Sequence, residues 1–177
     1  VWELISLANR HPRVDILQPG PGVGGHCIAV DPWFVVSQSP KEARLIRSAR
    51  EVNESKPEFV IEKVLQQALE FNAPVVACLG LAFKPDIDDL RQSPSLAIVE
   101  RLAEKSELQI MVVEPNIVQL PESLRARNNV QLADLSQAVA ASNVIVGLVK
   151  HKQFIDAIDE DAISQHKIVD LANIISH

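Results

Sequence analysis

Pro74-Val75-Val76-Ala77-Cys78-Leu79-Gly80 decides how the chain is read. Its apolar centre is strand-length, lacks polar alternation and is bounded by proline and glycine. That is the pattern of a parallel strand buried on both faces. Downstream, similar short runs recur at Gln109–Val113, Val130–Leu132, Val144–Val149 and Ile168–Leu171. Helical spacing fills the gaps. Ser93 and Pro94 make a helix start that carries Ile98, Val99 and Leu102 on one face. Further helices are expected over Glu122–Arg127 and Leu135–Ala141. Strands alternating with helices predict an α/β class with a Rossmann-like, doubly wound parallel sheet over 74–177. Its first turn reads Gly80-Leu81-Ala82-Phe83, without the Gly-x-Gly-x-x-Gly that cradles a pyrophosphate. The carboxyl ends of the strands, where ligands go in such sheets, still leave room for a nucleotide.

Upstream, residues 1–73 read as a helical segment. The chain opens inside an apolar periodic pattern (Trp2, Leu4, Ile5, Leu7, Ala8) with no initiator methionine, as a fragment of a longer protein would. His11-Pro12-Arg13 begins a loop, since proline disfavours helix before it. A helix is expected over Ala29–Ser37. Leu45, Ile46, Ala49 and Val52 recur at helical spacing, with Lys41, Arg44, Arg47 and Arg50 as a solvated opposite face. Ser55 as N-cap, Glu58 three residues on and Pro57 in the first turn predict that a new helix starts there. It would turn Ile61, Val64, Leu65, Ala68 and Leu69 inward, making 41–71 a bent or broken connector.

The 177 residues carry a formal net charge of -6, against a nucleic-acid partner, which requires a basic surface. No apolar run approaches membrane-spanning length, and no signal peptide opens the chain. Two cysteines are too few for a disulfide framework, which fits the cytoplasm. No spacing of cysteines and histidines suggests a metal. An anionic ligand would need local cations, and Arg10, Arg13, Lys84 and Arg91 are the candidates.

Chemistry concentrates in Pro19-Gly20-Pro21-Gly22-Val23-Gly24-Gly25-His26-Cys27-Ile28-Ala29-Val30-Asp31-Pro32. Four glycines in six residues supply a backbone that turns tightly and approaches a ligand closely. If a helix begins near Cys27, its thiol sits at a positive helix end, a favoured place for a nucleophile. Asp31, four residues on, would share its helical face. Against this, a lone cysteine is more often a small buried hydrophobe, and His26 more often a loop residue than a ligand.

The combination Gly-x-Gly-x-Gly-Gly-x-Cys, with Asp31 four residues after the cysteine, resembles the catalytic loop of the UDP-glucose/GDP-mannose dehydrogenase family. Phe83-Lys84-Pro85-Asp86-Ile87-Asp88-Asp89-Leu90-Arg91-Gln92-Ser93-Pro94 is similar to that family's second signature. Asn9–Val14 and Gly25–Phe34 most resemble the branch acting on UDP-N-acetyl-D-mannosamine. The resemblance implies NAD as cofactor, bound mainly by a dinucleotide domain that precedes these residues together with a catalytic lysine and asparagine. It also implies a UDP-sugar substrate, a homodimer built through the helices of 1–73, and UDP binding by 74–177. Cys27 matches the nucleophile, which carries thiohemiacetal and thioester intermediates through two hydride transfers. Asp31 matches the residue that orients water. Gln18, Pro19, Gly20, Gly22 and Gly24 would wrap the sugar and phosphates. His11 and Arg13 match substrate contacts reaching into the neighbouring subunit's site, Phe83 and Lys84 a substrate pair, and Arg91 a contact to NAD. Two alternatives stand beside this: another UDP-sugar, such as UDP-N-acetylglucosamine or UDP-glucose, or a chain that alone only binds UDP and dimerises.

Overall fold

A computed structural model describes residues 1–158 and 160–175. The helical segment holds α1 (Trp2–Ala8), α2 (Asp31–Gln38) and α3 (Arg44–Ala68). The sheet domain follows as β1 (Val75–Leu79), α4 (Pro94–Leu102), β2 (Gln109–Val113), α5 (Glu122–Arg125), β3 (Val130–Leu132) and α6 (Leu135–Ala141). It closes with β4 (Val144–Gly147), α7 (Lys152–Ile155), α8 (Glu160–Ile163) and β5 (Lys167–Asp170). All pairings are parallel and the strand order is β3-β2-β1-β4-β5. The α/β, doubly wound expectation is met.

Alternation along β1 divides the core. Val76 and Cys78 face one layer, built with Val60, Ile61, Val64 and Ala68 of α3 and Ile98, Val99 and Leu102 of α4. Ala77 and Leu79 face the other, with Ala138 of α6, Phe154 of α7 and Ile163 of α8. Each fully buried aliphatic side chain here contributes about 1.5–3 kcal/mol. Ser93 caps α4 as expected, accepting from the Leu96 N–H at 3.3 Å. Strand β4 ends at Gly147 and not at Val149, because the N–H groups of Leu148 and Val149 both turn to the Leu79 carbonyl. The last strand lies one residue earlier than expected, and α5 ends at Arg125 and not at Arg127.

Several expectations for the helical segment fail. Leu69, read as inward, is 85% exposed at the end of α3. Helix α2 starts at Asp31, two residues later than read, where Pro32 suits a first turn. Helix α3 runs unbroken through Pro57. Proline in a helix interior costs about 3 kcal/mol. Here packing of Val60 and Ile61 on the sheet and a clamp by Asn53 on the other side hold both halves in line. Ser55 caps nothing: its hydroxyl donates back to the Val52 carbonyl at 2.8 Å, while Glu58 pairs with Arg101 of α4. The first half of α3 is also rotated from expectation. Leu45 is 83% exposed and Val52 71%, whereas Arg50 is buried, its Nη2 3.5 Å from Glu54 Oε1. Trp33 of α2 donates to the same oxygen at 2.8 Å. No described helix is long and apolar enough to cross a membrane.

Candidate active site

Strand order reverses between β1 and β4, which opens a crevice at their carboxyl ends. A cavity of about 770 Å³ occupies it. Gln18, Pro19, Gly20, Gly22 and Gly24 form one wall, and Phe83 and Lys84 another. The structure thus brings seven expected residues around one space. Reasoning from sequence missed the third wall, Leu148 to Lys150 and Lys152, just beyond β4. Two lysines immediately after a parallel strand at the switch point were a usable signal. With Lys84 they bring three ammonium groups to the cavity, one of them, that of Lys152, 3.9 Å from Asp86, which lines it too.

The glycine loop is seated by two devices. Asn53 of α3 accepts from the Val23 N–H at 2.7 Å and donates to the Val23 carbonyl at 3.2 Å, pairing with it as a strand would. Gly24 then lies so close to Gln92 and Pro94 that any Cβ would collide with both. Gly25, at φ +92°, sits against the Phe83 ring, where a side chain would be strained as well as crowded.

Cys27 follows in the turn before α2, its thiol exposed and its carbonyl accepting from Val30 and Asp31 N–H at 3.1 and 2.8 Å. It therefore precedes the helix and does not share a helical face with Asp31, which stands in the first turn of α2. Neither residue lines the 770 Å³ cavity, though Ile28 does. Arg91 reaches the same neighbourhood. Its guanidinium grips Asp89 through Nε and Nη2 at 2.5–3.0 Å, which raises its pKa further, with a smaller electrostatic contribution from Cys27. The bonds from Arg91 hold the Asp89 carboxyl down at about 2, with a smaller contribution from His26. His11 and Arg13 lie apart and exposed, the His11 ring accepting from the Arg13 N–H at 3.2 Å. Arg10 lines a separate cavity with Gln18 and Asn173.

The sheet's own first turn does not fit a dinucleotide. The N–H groups of Leu81 and Ala82, which would face a pyrophosphate, both donate to Glu114 Oε2 at 2.8 and 3.1 Å. Glu114 is buried at the end of β2. Burial alone would raise its pKa, but bonds from His151, Leu81 and Asn116 outweigh that and hold it below the ordinary value. No cluster of metal-ligating side chains occurs among the described residues.

Residues 77–177 match the UDP-binding domain of the UDP-glucose/GDP-mannose dehydrogenase family, and residues 1–55 match its central domain. The chain belongs to that family. It is 58% identical over 164 residues to a UDP-N-acetyl-D-mannosamine dehydrogenase of Campylobacter jejuni, covering 93% of this chain and 40% of that one. An NDP-N-acetyl-D-galactosaminuronic acid dehydrogenase of Ralstonia solanacearum is 52% identical over 170 residues, 96% of this chain and 39% of that one. Among solved structures, a UDP-N-acetyl-mannosamine dehydrogenase of S. aureus superposes with a TM-score of 0.76 at 35% identity, over 99% of this chain and 40% of that one. The chain thus spans about 40% of the length of the relatives it matches.

Proposed function

We propose that this chain supplies the nucleophile loop and the UDP site of an NAD-dependent dehydrogenase that oxidises UDP-N-acetyl-D-mannosamine to its uronate. The observation that carries this is the single cavity where the glycine loop, Phe83–Lys84 and Lys150–Lys152 converge at the carboxyl ends of β1 and β4. The base and ribose would lie along its apolar wall of Phe83, Leu148 and Ile155. Lys84, Lys150 and Lys152 would neutralise the diphosphate. The Gly20–Gly24 backbone would then pass the sugar toward Cys27.

Cys27 Sγ, as thiolate, adds to the aldehyde carbon of the half-oxidised sugar, and the carbonyl oxygen takes up a proton. After oxidation of that adduct, water oriented by Asp31 attacks the thioester carbon, the C–S bond breaks and Cys27 leaves as thiolate. NAD is the hydride acceptor in this reading, held mainly outside these residues with Arg91 turned toward it. The protein would be a cytoplasmic homodimer, its exposed Leu45–Val52 face covered by the second copy, and His11 and Arg13 directed to the partner's site.

Calorimetric titration of the chain with UDP, with NAD+ in parallel, tests the assignment of the cavity. UDP binding without NAD+ binding is expected; NAD+ binding without UDP would overturn it. With the dinucleotide domain present, NADH formation should be fastest on UDP-N-acetyl-D-mannosamine, and Cys27→Ser should abolish sustained turnover to the uronate. Faster turnover of the galactosamine or glucosamine compound would replace the sugar assignment. The match to a galactosaminuronic acid dehydrogenase makes the former the first rival to try.

A further inference from the structure

The segment Leu81–Asp86, which carries Phe83 and Lys84, is tied at both ends to one buried pair. At its start, Leu81 and Ala82 N–H donate to Glu114 Oε2. At its end, the Asp86 N–H donates to His151 Nδ1 at 2.9 Å. The two holders meet: His151 Nε2 lies 3.1 Å from Glu114 Oε2, and both side chains are fully buried. A backbone N–H can only donate, so Nδ1 must present its lone pair there. The ring hydrogen is then on Nε2 and donates to the carboxylate. Asn116 completes the set, giving its backbone N–H and its amide N–H to Glu114 Oε1, each at 3.1 Å, with the amide nitrogen also 3.1 Å from His151 Nδ1. Asp86 returns the connection by accepting from the Lys152 N–H at 3.0 Å. Asp86 has φ +60°, a left-handed conformation that aspartate tolerates better than most residues, and its N–H and carboxylate are both engaged there.

We propose that Glu114 and His151 are positioning residues for the substrate segment: the imidazole fixes its far end through the Asp86 N–H, the carboxylate fixes its near end, and Phe83–Lys84 is thereby presented to the nucleotide in one conformation. This rests on the reading of Phe83 and Lys84 as UDP contacts. It also assigns a reason for Glu114 occupying the first-turn donors: a resident carboxylate replaces the phosphate that other sheets of this kind bind there. Preorganisation of this type raises affinity by removing the cost of ordering the loop on binding.

The two arms of His151 can be cut separately. In His151→Asn the amide oxygen falls near the place of Nδ1 and can still accept from Asp86, but the reach to Glu114 is lost. In His151→Gln the amide nitrogen can still donate to Glu114, but the Asp86 arm is lost. Both variants should lose comparable thermal stability. His151→Gln should weaken UDP binding about tenfold in calorimetry, the worth of one buried hydrogen bond, and His151→Asn less than about threefold. Hydrogen exchange at the Asp86 amide should accelerate in His151→Gln only. Equal loss of UDP affinity in both variants, or unchanged affinity and exchange in His151→Gln, would overturn the proposal. In the wild-type chain, where no variant has to fold, the Asp86 amide should be protected to within about tenfold of the sheet amides. Exchange at the rate of a free loop amide would overturn the proposal too. A wild-type chain that binds no UDP would sink the functional reading, and the exchange contrast would then decide the positioning role by itself.

Discussion

Cys78 and Cys27 carry the same thiol in opposite surroundings. Cys78 sits in the middle of β1, buried between Val76 and the α3 and α4 side chains, and burial pushes its pKa up to about 12. Cys27 sits in a turn, exposed, two residues past the last glycine of the loop and within electrostatic reach of Arg91. The difference extends to their neighbourhoods. Just beyond β1, the N–H groups of Leu81 and Ala82 have a fixed partner in Glu114, itself paired with His151. Around Cys27, a single clamp from Asn53 and the contact of the glycines with Phe83 and Pro94 hold the loop. The Glu114–His151 region is tied by several buried hydrogen bonds, whereas the Cys27 thiol is left open to reagents.

Thiol chemistry should expose this contrast most strongly. At pH 8 a group titrating near 12 is thiolate in about one molecule in 10⁴. A disulfide exchange reagent should therefore titrate one thiol in the native chain and the second only on adding denaturant; two fast native thiols would end the comparison. Stability comes next. Cys78→Ser places a hydroxyl in an apolar layer and should cost about 1–3 kcal/mol in urea unfolding. Cys27→Ser should stay within about 0.5 kcal/mol. Asn53→Ala sharpens the point, since it should cost about 1 kcal/mol and speed labelling of Cys27 without making Cys78 accessible.

The smallest effect is on the acid limb of stability. Glu114 has its pKa depressed from 4.5 in the fold, so it contributes stability above that value and loses it as pH falls through the folded one. Glu114→Gln should lower stability at neutral pH yet flatten the decline below pH 4.5. Asp89 follows the same sign over the window from 3.8 to about 2, and, being exposed, Asp89→Asn should alter that limb only slightly.

Much of the sheet was legible because buried parallel strands announce themselves: β1, β2, β3 and α6 fall on the residues that their apolar runs and spacing mark. The glycine loop and Phe83–Lys84 were legible as motifs; the sheet's topology brings Phe83–Lys84 to the cavity, and contacts with Asn53, Gln92 and Pro94 bring the glycine loop there. What escaped depends on groups distant in sequence. Helical spacing of Leu45, Ile46, Ala49 and Val52 reports a helix but not which side meets the rest of the chain, and here the charged Arg50 turned inward. Pro57 reads locally as a helix start. Only Asn53 gripping Val23 and Val60 gripping the sheet explain why the helix continues. The pairing of Glu114 with His151 joins two strand ends that no local pattern connects.

The continuity of α3 has a consequence for how the molecule tolerates change in chain length. Asn53 and Val60 sit on one unbroken rod, seven residues and about 10 Å apart, so the loop clamp and the sheet contact are locked in phase. Inserting one residue between them would turn one half about 100° against the other. The sheet would keep its core, Asn53 would swing away from Val23, and the glycine loop would lose its seat. Insertions and deletions along this stretch, even on its solvent side, should therefore unseat the loop.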